Sequence, residues 1–356
     1  MKRQSSIEII RFTNFLKNGA FVRKQGIWTL VSDPVVDANL GAIGTITTDY
    51  LSKQVSRKYY KNQWDMSSAE FIRVLDLAQA ELACDREKII INWQPVDKVS
   101  FVESFEKAQA AFRAGEVKKV VPFSVQRGRL QQTLTLAQKI SLLKNLAATP
   151  EKLYAYGEWS VDKGFMGATP EILFEKKGRK LQTMALAGTS SKDVNPIDFL
   201  NDPKERKEHQ FVVDDIVEVL GPLGNVHVEM TAVVEFPALN HLETRLNVDL
   251  KHTISTDELI RKMHPTPALG IYPRNAYFEK FRQYPLQSER GFFGAPWGME
   301  TNESALLLVA IRNWDWSKRD VQIFAGCGVV QESVLEKEFA EILKKIDSVK
   351  RIFFQD

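Results

Sequence analysis

The stretch EILFEKKGRKLQTMAL, residues 171–186, does most to limit the fold. Two runs rich in strand-forming residues flank a turn signal at Lys177-Gly178, a connection short enough to demand an antiparallel hairpin. A sheet that contains such a hairpin is not an all-parallel, doubly wound one. Further strands are expected around 153–159 and 163–168, and in VQIFAGCGVV (321–330), which has a glycine-rich exit. Helical patterns lie between them. SSAEFIRVLDLAQAELA (67–83) has Ser67 or Ser68 as its cap. Ser100 and Glu103 form a capping-box pattern ahead of Phe101, Phe105, Ala108 and Phe112, in a helix that ends near Gly115. Another helix is expected over 137–147. A longer one starts at the N-cap Asp202 with Pro203 behind it and stops at Gly221-Pro222. The chain closes with LEKEFAEILKKIDSVKRIF (335–353). This mixture predicts an α+β or mixed-sheet α/β sandwich.

Within EVKKVVPFSV (116–125) two adjacent lysines interrupt an apolar run. Strand alternation puts Lys119 on one face with Val117, Val121, Phe123 and Val125, while Lys118 points the other way. A buried amine has its charged form disfavoured and can act as a general base; a lysine that snorkels to the sheet edge stays ordinary. Alternation alone leaves both open.

The 356 residues carry 48 basic and 45 acidic side chains, a formal net charge of +3, with no basic stripe interleaved with aromatics. Nucleic acid is therefore not an expected partner. No run is long and apolar enough for a membrane span, and MKRQSSIEIIRF lacks the apolar core of a secretory leader. Cys84 and Cys327 have no metal-ligand spacing. A soluble cytoplasmic enzyme is the expectation.

Two helices carry paired carboxylates. Glu205 and Glu208 share one face of the first, continuous with Val212, Ile216 and Val219. Glu338, Glu341 and Lys345 form a row on the closing helix beside Leu335, Phe339, Ile342 and Ile346. Four such groups suit a hard divalent cation, but spacing does not separate a metal site from two solvated faces. LAGTS (186–190) and AGCG (325–328) follow strands and expose N–H groups to an anion, or serve only as turns, and GAIG (41–44) is weaker still. His209 and His241 stand outside any metal-ligand array. HPTPALGIYPR (264–274) reads as a rigid loop.

Taken in order, KVV (119–121), GATPE (167–171), LAGT (186–189), KERKEH (204–209), NHLET (240–244) and HPTPA (264–268) form a recognisable series. RGFFGAPWG (290–298), AIRNW (310–314), FAGCGVV (324–330) and EKEFAEILKK (336–345) continue it. Over residues 98–352 the chain resembles the chorismate-utilising enzymes, with the isochorismate-synthase branch nearest. The resemblance implies a single domain over 1–356: a variable part, 1–95, and a catalytic core, 96–352, with two sheets framing a deep site. The boundary suggested by Trp93-Gln94-Pro95 then lies within that domain.

Position by position, the resemblance makes Lys119 the base that activates water and Glu171 the acid across the ring. It makes Glu208 and Glu341 the principal Mg²⁺ ligands, with Glu205 and Glu338 beside them. Gly188, Thr189, His241, Arg312, Gly326 and Lys345 become contacts to chorismate. It implies Mg²⁺-dependent conversion of chorismate to isochorismate by a monomer without a glutaminase subunit, feeding menaquinone or siderophore synthesis. Lysine at 119, where ammonia-using relatives carry glutamine, favours water, and so does alanine at 187, where other relatives carry a nucleophilic lysine. Salicylate synthases share both residues and go on to eliminate pyruvate, and a non-catalytic binding protein is the third reading. The chain departs from the family pattern at Pro122-Phe123-Ser124, Ile271, Phe293 and Ala295.

Overall fold

The computed structural model describes residues 12–35, 43–51, 54–82 and 87–354. Cys84, most of MKRQSSIEIIRF and half of GAIG lie outside the described residues. Among the described residues, 17 strands join through hydrogen bonds into one continuous sheet, so the two sheets expected are connected. Its pairings run antiparallel throughout.

The hairpin that opened the sequence reading pairs Ile172–Lys177 with Lys180–Ser190. Lys177 faces Lys180, so the turn residues are Gly178 and Arg179, one place later than read. Gly178 takes the left-handed φ of +58° that glycine adopts without a Cβ penalty. A second hairpin, Gly19–Lys24 with Ile27–Val35, turns on Gln25 and Gly26, both at positive φ. The early strands belong to the same sheet as the later ones. Gly19–Lys24 also pairs with Tyr154–Trp159, and Ile43–Thr47 pairs with Pro296–Glu300. Across the sequence transition at Trp93, Ile91–Trp93 pairs with Phe123–Leu130.

Strand alternation divides the apolar side chains between two cores. Phe21 faces the larger one, where the helices pack and where Phe71 stacks on Trp28 at 4.2 Å. Its neighbours Ala20 and Val22 face a smaller core with Tyr60, Tyr156, Trp297 and Leu308. Both sheet faces are thus covered, which fits the near-continuous apolar runs of the central strands.

Helix boundaries follow their caps. Ser67 caps Ser68–Glu81 in a full capping box with Glu70. The Ser100–Glu103 expectation is corrected: Asp97 caps Lys98–Arg113, accepting from Ser100 N at 3.0 Å and Ser100 Oγ at 2.7 Å. Glu103 instead accepts from Lys107 at 2.7 Å, the neighbour one turn on. Asp202 caps Pro203–Leu220 by accepting from Glu205 N at 2.9 Å, and Leu335–Phe353 closes the chain over the expected span. These last two helices carry the paired carboxylates.

EVKKVVPFSV is two short strands rather than one. Lys119–Val120 pairs with Ile271–Tyr272 outside the large sheet, and Phe123–Leu130 then pairs with Asp320–Gly326 inside it. The break falls at Pro122, which has no N–H to donate. Lys118 is exposed and Lys119 is 1% exposed, as alternation requires. Beyond Lys119 both faces are buried. No helix among the described residues is long and apolar enough to cross a membrane.

Candidate active site

One pocket gathers ten of the twelve candidate side chains or lies directly against them. It is lined by Glu171, Gly188, Thr189, His241, Arg312 and Gly326, and by Glu208, Glu341 and Lys345 from the two acidic helices. Lys119 sits behind this lining, with its Nζ 3.1 Å from Glu208 Oε1. Glu205 and Glu338 stay outside the lining and share another cation, described below. The cavity volume is about 60 Å³, well below the roughly 300–1,000 Å³ usual for ligand sites, so a ligand of ordinary size enters only if the lining side chains shift.

Glu171 leaves the sheet where GATPE ends, and its carboxyl is buried. Burial raises its pKa to about 8, with Lys119 and Lys345 partly opposing the shift. At neutral pH it therefore carries a proton it can donate. Lys119 and Lys345, whose fields it feels, supply positive charge on the same pocket.

His241 and Arg312 form a linked pair. Arg312 is donor-only, so His241 Nε2, 3.3 Å from Arg312 Nη2, must accept. The imidazole proton then lies on Nδ1, which donates to Gly188 O at 3.1 Å. Burial first, then the charges of Arg312 and Lys345, lower the His241 pKa to about 3, which keeps this ring neutral. Burial also lowers Arg312 to about 10, against support from Glu341. Arg312 remains a cation held at a positive φ of 55°, in a conformation that costs a non-glycine residue of order 1–3 kcal/mol. His209 plays a packing role, with Nδ1 donating to Ala187 O at 3.1 Å and Nε2 accepting from Thr244 Oγ1 at 2.7 Å.

The glycine loops are less open than their sequences suggest. Gly188, at φ +77°, bulges the strand so that Thr189 N turns to Glu205 Oε2 at 2.8 Å. Gly326 O accepts from Lys345 Nζ at 2.7 Å. Gly328 is shaped by a close approach: a Cβ there would lie 1.9 Å from Glu208 Oε1 and 2.9 Å from Lys119 Cε.

A residue that sequence reasoning missed organises the carboxylates. Lys204 Nζ lies 2.9 Å from Glu205 Oε1, 3.1 Å from Glu338 Oε1 and 4.0 Å from Glu208 Oε2. Burial opposes its charge, but the fields of Glu208, Glu338 and Glu205 overcome this and hold its pKa above the ordinary lysine value. The signal was present in KERKEH, one position before Glu205. Burial and then Glu208 raise Glu205 to about 7, and burial raises Glu338 despite Lys204. Burial also acts upward on Glu341, but Lys345 at 2.6 Å brings it below the ordinary carboxylate range.

Each acid is thus drawn to a lysine. As placed, no three His, Cys, Asp or Glu groups among the described residues come together tightly enough to hold one metal ion. The donor chemistry still fits a hard divalent cation, because the set is all carboxylate oxygen, and burial, then the neighbouring carboxylates, raise Glu205 and Glu338.

The departures from the family pattern fall into two groups. Ile271 and Ala295 are buried in the framework, away from the pocket lining, and Ser124 donates to Asp97 O at 2.7 Å. Phe293 does line the pocket. It packs on Phe123 at 5.6 Å and on Phe324 at 5.5 Å, so two of the departures touch each other.

A family model described as "Chorismate binding enzyme" matches residues 43–353, beginning well before the motif series. The chain is 29% identical over 301 residues to isochorismate synthase MenF of Bacillus subtilis, covering 78% of this chain and 59% of that protein. It is 32% identical over 200 residues to the salicylate biosynthesis isochorismate synthase of Pseudomonas aeruginosa, covering 52% and 41%. The chain therefore spans about half the length of these curated relatives. In fold it is similar to MenF, the menaquinone-specific isochorismate synthase of Escherichia coli. That match has a TM-score of 0.79 at 17% identity, over 96% of this chain and 90% of that one.

Proposed function

This chain belongs to the chorismate-binding enzyme family, and from that premise we propose that it is an isochorismate synthase acting on chorismate in the cytoplasm. The observation that carries the reading is the buried Glu171 carboxyl, its pKa raised to about 8, on a pocket lined also by Lys345 and Arg312 with Lys119 directly behind it. Chorismate is a dianion, and two cations lining one small cavity can bind and orient its carboxylates. Lys119, after releasing its ammonium proton to solvent, takes a proton from water as the water oxygen bonds to C2 of the ring. Glu171 gives its proton to the C4 hydroxyl, which leaves as water while the double bonds shift. One water enters and one leaves, so the net change is an isomerisation.

Neutral His241, its proton fixed on Nδ1, holds Arg312 in place by accepting from Nη2. Glu208 and Glu341 would hold Mg²⁺, with Glu205 and Glu338 beside them. The ion would supply positive charge to the ring carboxylate and to these acids.

Incubation of the purified chain with chorismate and Mg²⁺ is expected to give isochorismate, and EDTA to stop its formation. Stoichiometric pyruvate with salicylate would assign the chain to salicylate synthases instead. Chorismate binding without any product across neutral pH would make it a non-catalytic binder.

The acid assignment carries its own pH signature. Glu171 is in its acid form below about pH 8, so kcat/KM is expected to fall as pH rises through that value. Glu171→Gln, which has no carboxyl proton to give, is expected to lose about 10²–10⁴-fold in kcat. A flat pH–rate profile up to pH 10 would remove Glu171 from the acid role. The same shift touches folding: the native carboxyl keeps a proton that the unfolded chain, near 4.5, releases. Its contribution to stability therefore declines as pH rises from about 4.5 to 8.

A further inference from the structure

A second cavity, of about 510 Å³, lies on the far side of Arg312 from the active pocket. Pro170 and Arg312 line both cavities. The guanidinium divides its hydrogen bonds between them. Nη2 reaches His241, which lines the active pocket, while Nη1 donates at 2.9 Å to Ser348 Oγ, which lines the second cavity.

The walls of this cavity are apolar at Leu153, Ala168, Phe236 and Ile352, and Arg351 supplies a second cation at its exposed edge. The carbonyl end of the Leu136–Ala147 helix borders the cavity at Asn145 and Ala148 and would repel an anion. Arg23 caps it, donating to Leu146 O at 3.4 Å within the helix and to Thr149 O at 2.9 Å, Pro150 O at 2.8 Å and Leu153 O at 2.9 Å just beyond it. A cavity with apolar walls, two arginines and the helix end beside it already capped suits a small carboxylate on a flat apolar body.

We propose that this cavity binds a small aromatic carboxylate, and that the bound ligand draws Arg312 away from the active pocket. With Arg312 drawn toward this ligand, a carboxylate in the active pocket is held more weakly and oriented less well, so occupation of one cavity weakens binding and slows reaction in the other. This makes the cavity an effector site that slows turnover, a consequence that rests on the isochorismate-synthase reading; the binding itself does not.

Benzoate is the probe. Calorimetric titration of the full chain is expected to show one benzoate bound, and steady-state assays to show inhibition that raising chorismate relieves only in part. Ala238→Trp, which fills the cavity, and Arg351→Gln, which removes its rim cation, are expected to weaken benzoate binding at least tenfold. Turnover without benzoate should stay at the wild-type level in both, with circular dichroism confirming the fold. The calorimetric arm stands even for a chain without turnover, so failure of the assigned reaction and failure of the site are told apart. Three results would overturn the proposal. One is no benzoate binding to the wild-type chain. Another is fully competitive inhibition that survives Ala238→Trp, which would place benzoate in the active pocket. The third is a loss of uninhibited turnover in both folded variants, which would make the cavity part of the substrate's path.

Discussion

Lys119→Ala is expected to reduce kcat by about 10²–10⁴-fold, the usual contribution of a positioned general base. The substitution also strands Glu208, whose Oε1 lies 3.1 Å from the lysine Nζ in a buried pair. Breaking such a pair from one side costs about 3–5 kcal/mol, so a lower melting temperature should accompany the loss. Lys119→Gln separates the two effects, because it keeps a donor for Glu208 but cannot take a proton. If the base role is right, the glutamine variant regains much of the stability and none of the turnover. Isochorismate formation near the wild-type rate in either variant would move the base elsewhere.

The second large effect comes from a residue with no functional group. Gly328→Ala is expected to lower kcat/KM by about 100-fold, because displacing a reacting group by about 1 Å commonly costs that much. The added methyl would stand 1.9 Å from Glu208 Oε1, 2.6 Å from its Cδ and 2.9 Å from Lys119 Cε. Gly328 is absent from the positive-φ glycines, so its backbone accepts alanine. Two side-chain ends take up the clash, and neither can move without leaving its partner. Because the clash pushes apart a buried ion pair, melting should fall as well, with the collapse of turnover as the larger effect. An active Gly328→Ala enzyme would show that Glu208 and Lys119 tolerate displacement, and would count against both assignments.

Much of the framework was legible because local chemistry decided it. Asp202-Pro203 and Gly221 bound one acidic helix at both ends, and the heptad-like apolar line of 335–353 bounds the other. The hairpin around Gly178 was off by one residue only. The capping box at Ser100 failed because Asp97, three residues earlier, offers a shorter carboxylate that reaches both the amide and the hydroxyl of Ser100. The early strands escaped notice for a different reason. Ser56–Ser67 is largely polar and half-exposed, and it is a strand because Ile27–Val35 and Ile43–Thr47 pair with it from two sides. That is tertiary context, which alternation alone does not contain.

The pocket divides the same way. Alternation singled out Lys119, and the motif series placed Glu171, His241 and Arg312 beside it. Spacing along a helix could bring Glu205 to Glu208 and Glu338 to Glu341, but not tell which cation each would meet. Lys204 was passed over because a lysine at a helix start usually faces solvent, and its burial depends on a second helix far along the chain. The contact between Phe123 and Phe293 was equally invisible, since the two departures are far apart in sequence and meet only in the folded sheet.

The lysines among the carboxylates have a consequence for how the protein is made. Glu205, Glu208, Glu338 and Glu341 are matched by Lys119, Lys204 and Lys345, so four acids meet three tethered counter-ions within the same chain. Helices that would otherwise repel one another can close before any free ion arrives. A newly synthesised chain can therefore close this site on its own lysines, with no cation drawn from solution.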